Sequence, residues 1–285
     1  MSRAIQFTRH SSELGRWESV VAEPHALLRR YVREYVGGVE STVAPLCRRE
    51  LPTEIAPVIF NFGAPFRVFD RHDPSRFVEH TSFVTGAFDA YVLVASTGSY
   101  ECLQVNFTIL GARLFLGQPL GALANQVVAL DAALGPSASR LTDQLADAPD
   151  WPARFDLLDR AILDRIRAAM VPPSVAWVMQ QLVRRQGQIG IGPLAAAVGC
   201  SHRHLVKQFT EQIGLGPKVL ARVLRFGQAA GRLTRDSGGH LADIAHDCGY
   251  YDQAHFTRDF RAFAGVTPTE LLASRLPHRG GFQVR

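Results

Sequence analysis

The chain is poor in cysteine and has no means of pairing it locally. Its four cysteines, Cys47, Cys102, Cys200 and Cys248, are scattered over 285 residues and form no CxxC. That excludes a CxxC-type zinc framework and favours a reduced, cytoplasmic chain. No run approaches the ~20 consecutive apolar residues of a membrane span, so no membrane partner is expected. The N-terminal stretch from Met1 to Val20 holds no uninterrupted apolar segment, so no secretory signal is expected. The first half also lacks an HxH pair: His72 and His80, with Glu79 beside the second, do not reproduce one. A metal-binding barrel is therefore disfavoured, and the expectation is no cofactor, no metal and no enzymatic activity.

What is present is enough material for ordinary cores. Hydrophobic residues make up 47% and charged residues 20%, which excludes global disorder. At ~100–200 residues per domain, the length suggests two domains. The charge is divided unevenly. Residues 1–172 carry 17 Lys+Arg against 19 Asp+Glu, whereas residues 173–285 carry 14 against 7. An acidic half joined to a basic half suggests a sensing domain attached to a polyanion-binding domain.

The expected boundary lies at Val171-Pro172-Pro173-Ser174, where two prolines stop one helix and the second can open the next. This divides the chain into 1–172 and 173–285. Upstream, residues 100–109 alternate Leu103, Val105, Phe107 and Ile109 with Gln104, Asn106 and Thr108, the period of a half-buried strand. Residues 54–62, 66–69 and 89–95 are rich in β-branched and aromatic side chains, with turn residues between them. Short strands at this spacing suggest a small barrel or sandwich. From about residue 120 the pattern turns helical, and residues 151–169 place Phe155, Leu158, Ile162 and Ile166 on one face. That stripe suits either a dimer seam or an internal core. Phe60, Phe62, Phe66 and Phe107 are candidates for core packing or for lining an effector pocket.

The second half reads as all helix and contains an internal repeat. Residues 194–214 match 244–265: Leu194 with Ile244, Ala195 with Ala245, Gly199 with Gly249, Ser201 with Asp252, His204 with His255, Leu205 with Phe256, Phe209 with Phe260, and Gly214 with Gly265. Each copy is a short helix, a glycine turn and a longer helix, at about 191–214 and 241–265. The glycines supply the positive φ of a tight turn, and Ser201 and Asp252 are N-caps. This is the pattern of a helix-turn-helix.

On a helical wheel, Leu205, Phe209 and Ile213 form one buried stripe, and Phe256, Phe260 and Phe263 the other. Arg203, Lys207 and Thr210 face outward in the first copy, and Ala254, Arg258 and Arg261 in the second. Gln253 lies in the first turn, where a recognition helix reaches base edges. Arg and Gln carry the donors that read guanine and adenine in the major groove. Pro217 to Leu233 should form a linker helix, and Thr267-Pro268-Thr269-Glu270 a capping box for a last helix to about Ser274. The equivalent His204 and His255 suit packing or phosphate contact better than metal.

At these residues the second half resembles the DNA-binding domain of AraC/XylS-type transcriptional regulators. The resemblance rests on residues 243–275, with Ile244, Ala245, Gly249, Tyr250, Asp252, Phe256, Arg258, Phe260, Arg261, Gly265, Thr267 and Pro268 in the family's pattern. It departs at Leu271 and Leu272, where the family usually has a Tyr-Arg pair, and at Ala254, a small residue in a base-facing position. The first half resembles, less specifically, the cupin-like sensor barrels attached to such regulators, through residues 51–67 and 111–135. The resemblance implies that Arg203 and Lys207 face the groove with His202 and Val206 beside them, and that Gln253, Thr257 and Arg258 do so in the second module. Arg261 comes from the wheel alone and is expected on phosphate. The expected architecture is α+β: an N-terminal cupin-like β-barrel with a helical extension, then an all-α domain of two helix-turn-helix modules joined by a linker helix. The expected partners are double-stranded DNA, a small-molecule effector and a second copy in a homodimer. The competing reading, a catalytic or metal-dependent barrel of repair type carrying a DNA-binding module, needs a reactive cysteine in a zinc cluster or a metal-bound barrel, and the scattered cysteines oppose it. A redox role for Cys47 or Cys102 stays open at this stage.

Overall fold

The structure is a computed structural model that describes residues 3–235, 240–277 and 280–284. The first part is mainly strand: β1 (Ile5–Ser12), β2 (Gly15–Ala22), β3 (Val32–Thr42), β4 (Leu46–Glu50), β5 (Ile55–Asn61), β6 (Phe66–Phe69), β7 (Phe77–His80), β8 (Phe83–Thr85), β9 (Val92–Ser96) and β10 (Ser99–Thr108), then helix α1 (Ile109–Leu116) and β11 (Val127–Ala129). Helices follow: α2 (Leu130–Leu134), α3 (Ser137–Ala146), α4 (Trp151–Ala168), α5 (Pro173–Arg184), α6 (Ile191–Ala197), α7 (His202–Ile213), α8 (Pro217–Arg235), α9 (Leu241–Asp247), α10 (Gln253–Ala264) and α11 (Pro268–Ala273). Among the described residues no helix is long and apolar enough to cross a membrane.

The strands form two antiparallel sheets, one ordered β1-β2-β3-β10-β5-β8-β11 and the other β4-β9-β6-β7. They pack against each other: Phe66 of β6 lies 6.0 Å from Phe83 of β8 and 5.0 Å from Tyr100 of β10, centroid to centroid. Buried Glu40 of β3 bridges to Arg48 of β4 and accepts a hydrogen bond from Ser96 Oγ at 2.7 Å. The arrangement is a cupin-like pair of sheets, not closed into a barrel. The free edge of β4 is occupied instead by the C-terminal tail, with Arg49 N donating to Phe282 O at 2.8 Å and Val284 N to Cys47 O at 2.9 Å.

The alternation read in β10 is present, with Leu103, Val105 and Phe107 fully buried. Ile109 does not belong to it. Thr108 Oγ1 accepts from Gly111 N at 3.0 Å, an N-cap that turns the chain into α1 one residue earlier than the alternation suggests. Helix therefore starts before residue 120, and β11 interrupts it. Phe60 and Phe107 are core side chains, Phe62 sits beneath the Arg154 guanidinium at 4.7 Å, and Phe66 borders a cavity. All four cysteines are free. Burial, then the charges of Glu40 and Glu101, pushes the Cys102 thiol up to about 12, and burial raises Cys47 as well, so neither is primed as a thiolate.

The stripe on α4 is internal. Phe155, Leu158 and Ile162 are fully buried, with Ile166 packed at the margin of the same core. Phe155 stacks on Tyr35 at 5.6 Å, and Asp159 accepts hydrogen bonds from Tyr35 Oη at 2.8 Å and from His25 N at 2.9 Å while pairing with Arg3. Helix and sheet approach closely because β3 has a glycine where Trp151 rests: a Cβ on Gly37 would lie 2.4 Å from that ring. Gly37→Ala should accordingly lower stability by about 1–3 kcal/mol through overpacking, seen as a reduced urea midpoint at unchanged slope.

Candidate nucleic-acid interface

Each module is a short helix, a glycine turn and a longer helix. Gly199 follows α6 with φ +69° and Gly249 follows α9 with φ +74°, the left-handed conformation that an L side chain resists. Ser201 Oγ accepts from His204 N at 3.2 Å, and Asp252 Oδ1 accepts from His255 N at 2.6 Å, so both longer helices begin on the caps expected of them. Leu205, Phe209 and Ile213 are buried in α7, as are Phe256, Phe260 and Phe263 in α10.

The opposite faces are open. His202, Arg203 and Lys207 are exposed on α7, with Val206 half-buried beside them. On α10, Gln253, Ala254, Arg258 and Arg261 are exposed and Thr257 is half-buried. These five α10 residues line one shallow depression of about 510 Å³, whereas His202, Arg203, Val206 and Lys207 lie on the other module. Thr257 Oγ1 donates to Gln253 O at 2.8 Å, which commits the hydroxyl proton to the helix.

Electrostatics separates the cations. Among the described residues, Arg203, Lys207 and Arg258 make no hydrogen bond or ion pair, so their donors are uncommitted. Arg261 lies near Glu270, whose carboxyl is held below its ordinary range first by the Thr267 N–H and hydroxyl and then by this guanidinium. Those Thr267–Glu270 bonds are the capping box of α11, in which Leu271 is fully buried and Leu272 partly exposed. His255 is spent locally: its Nδ1 accepts from Tyr251 N at 3.4 Å and its ring packs edge-on against Tyr250. Among the described residues no group of three His, Cys, Asp or Glu side chains gathers around a common point.

One pair was not visible from spacing. Arg222 on α8 grips buried Asp259 on α10, Nη2 to Oδ1 at 2.8 Å and Nε to Oδ2 at 3.3 Å, and its guanidinium lies 5.0 Å from the Phe263 centroid. Arg222 looks like part of the basic excess but is an internal brace. The available signal was Asp259 itself, a lone acid on the apolar face of α10, which requires a cation from elsewhere.

Residues 194–274, from within α6 to the end of α11, match a family model described as a helix-turn-helix domain. Residues 194–274 form an AraC-type helix-turn-helix domain. A chain built on this AraC-type domain is a DNA-binding transcriptional regulator. Residues 21–129 match a domain of unknown function (DUF6597). No curated protein matches the chain. Among solved structures, it is similar to ToxT from Vibrio cholerae, at 11% identity over 84% of this chain and 97% of that one, with a TM-score of 0.45. It is also similar to a probable AraC family transcriptional regulator from Rhodopseudomonas palustris, at 28% identity over 36% of this chain and 96% of that one, with a TM-score of 0.33. A third is the DNA-binding domain of AdpA in complex with a target DNA, at 23% identity over 36% and 92%, with a TM-score of 0.33.

Two substitutions test this framework. A Cβ at Gly199 meets nothing within 4 Å, so Gly199→Ala carries backbone strain alone and should cost about 1–2 kcal/mol in chemical denaturation. Asp259→Ala removes the only acid gripping Arg222 among the described pairs and should cost about 1–3 kcal/mol by the same measurement.

Proposed function

We propose that this regulator reads DNA through His202, Arg203, Val206 and Lys207 in the first module and through Gln253, Thr257 and Arg258 in the second, with Arg261 on a phosphate. The observation that carries the reading is the pair of exposed, uncommitted basic faces on two modules joined by one continuous helix. Helix α8 has 19 residues. At ~1.5 Å per residue it spans roughly 28 Å, on the scale of the ~34 Å between successive major-groove segments on one face of DNA. An arginine with free donors suits bidentate contact to guanine, and the small Ala254 leaves room for a base edge to approach.

In this reading the sensor part ends and the DNA-binding part begins at the break between α4 and α5. The N-terminal part binds a small-molecule effector, or dimerises, and so shifts the population of the DNA-competent state without catalysing a reaction. A homodimer belongs to the same reading. Phe77 and Val78 on β7, at the end of the smaller sheet, leave apolar surface exposed for it.

Fluorescence anisotropy of the full chain on its own upstream DNA, with scrambled DNA as competitor, tests the reading. The expected result is a strong preference for the native fragment, with log K falling linearly in log salt. Equal, weak and salt-independent binding to both fragments would overturn it. Arg258→Ala should cost about 1–3 kcal/mol on the native site and relax preference at one base, while Arg261→Ala should weaken all sequences alike and lower the salt slope by about 1. If Arg258→Ala weakens every sequence equally, the residue is a phosphate contact.

A further inference from the structure

The two modules repeat one motif but differ at the turn. Gly199 N donates to Ala196 O and Cys200 N to Ala195 O, both at 3.1 Å, while Gly249 N donates to His246 O and Tyr250 N to Ala245 O, both at 3.0 Å. Cys200 and Tyr250 are therefore equivalent positions. The N-cap follows at once in the first module, as Ser201, but one residue later in the second, as Asp252. The extra residue is Tyr251. It is 92% exposed, more than any other large apolar side chain among the described residues, and its hydroxyl has no hydrogen-bond partner among them.

The turn that carries Tyr251 is held from three sides. Its own N–H donates to His255 Nδ1 at 3.4 Å, and the neighbouring Tyr250 is buried with its ring edge-on to Phe256. Gln188, from the segment between α5 and α6, supplies the third: its Nε2 donates to Asp247 O at 3.4 Å, and a Cβ on Gly249 would lie 3.0 Å from its Cδ. At Gly199, by contrast, an added Cβ meets nothing within 4 Å. The second turn is thus longer than the first and packed where the first is open. A side chain presented from a braced turn loses little freedom when it binds.

We infer that Tyr251 positions the second module on DNA, its hydroxyl donating to one backbone phosphate beside the groove that α10 enters. The inference rests on the reading of the chain as a regulator with Gln253, Thr257 and Arg258 on bases. Tyr251 precedes the cap, so it lies outside the helix, at the end whose first turn carries Gln253. Residues inside that first turn reach base edges, whereas a residue just before it meets the groove wall, which is sugar and phosphate. Tyrosine hydroxyls are among the donors that phosphate oxygens accept, and a bond to an ionised acceptor is stronger than one between neutral groups. The Asp252 carboxylate beside it, which would repel a phosphate, is turned to His255 N at 2.6 Å. Because tyrosine is neutral, its contact releases no counterion, which distinguishes it from the Arg261 contact.

The test uses the full chain on its own upstream DNA, read by anisotropy across a salt series. Tyr251→Phe should bind about tenfold more weakly to the native fragment and to single-base variants of it alike, with the salt slope unchanged. Its urea midpoint should not move, since the hydroxyl is bonded to nothing in the fold. Replacing single phosphates with neutral methylphosphonates should reveal one position that weakens the unaltered chain but not Tyr251→Phe. Unchanged affinity in Tyr251→Phe would overturn the hydrogen bond, even if Tyr251→Ala binds weakly through loss of ring packing. A loss confined to particular base pairs would make Tyr251 a base contact, and a lowered urea midpoint would make its role structural; either overturns the inference. An unaltered chain that prefers its native DNA yet is indifferent to Tyr251→Phe overturns this inference alone, whereas an unaltered chain without DNA preference overturns the regulator reading.

Discussion

Helix α8 is packed along its length. Leu220, Val223, Phe226 and Leu233 are buried on it, and it contacts α5, α7, α9, α10 and α11. Each large apolar side chain of this kind contributes about 1.5–3 kcal/mol on burial, so the helix is held by its face and not by its ends. The Arg222–Asp259 pair adds a directional brace to α10. Because a helix advances by a fixed rise per residue, α8 sets a fixed span along which both modules pack. The placement of the exposed faces of both modules depends on this packing.

The N-terminal half holds both modules at one end of their longer helices. Arg113 Nε donates to Gln212 Oε1 at 2.9 Å and Leu120 N to Gln212 O at 3.2 Å, near the end of α7. Tyr91 N donates to Phe263 O at 2.7 Å and Arg49 Nη1 to Ala264 O at 2.8 Å, near the end of α10. Most residues assigned to the groove lie away from those ends, from His202 to Lys207 and from Gln253 to Arg258, whereas Arg261 sits in the last turn of α10. The sheets therefore grip the modules while leaving those faces exposed. The tail that pairs along β4 makes a further connection, tying the end of the chain to the strand that carries Arg48 and Glu50.

Much of the second half is legible in the amino-acid order. A glycine with positive φ, a side-chain cap and an apolar stripe act within a few residues of one another, so Gly199, Ser201 and Leu205 mark a module without help from the rest of the chain. Their recurrence at Gly249, Asp252 and Phe256 marks the second. The first half is less legible. Strand β10 shows its alternation because both its neighbours lie within the larger sheet and one face is fully buried. Strands β1 and β7 lie at sheet edges with mostly exposed side chains, so their sequences carry no apolar period to read.

The sequence by itself determined two capped helix-turn-helix modules, a linker helix and a basic excess, since each depends on local geometry or simple composition. Only the tertiary structure decided that the α4 stripe faces inward, that the sheets stay open with the tail along β4, and that Arg48 and Arg222 are internal braces. All of these turn on which side chains from distant parts of the chain meet. Residue type reveals that a charge needs a partner; the fold decides whether it finds one.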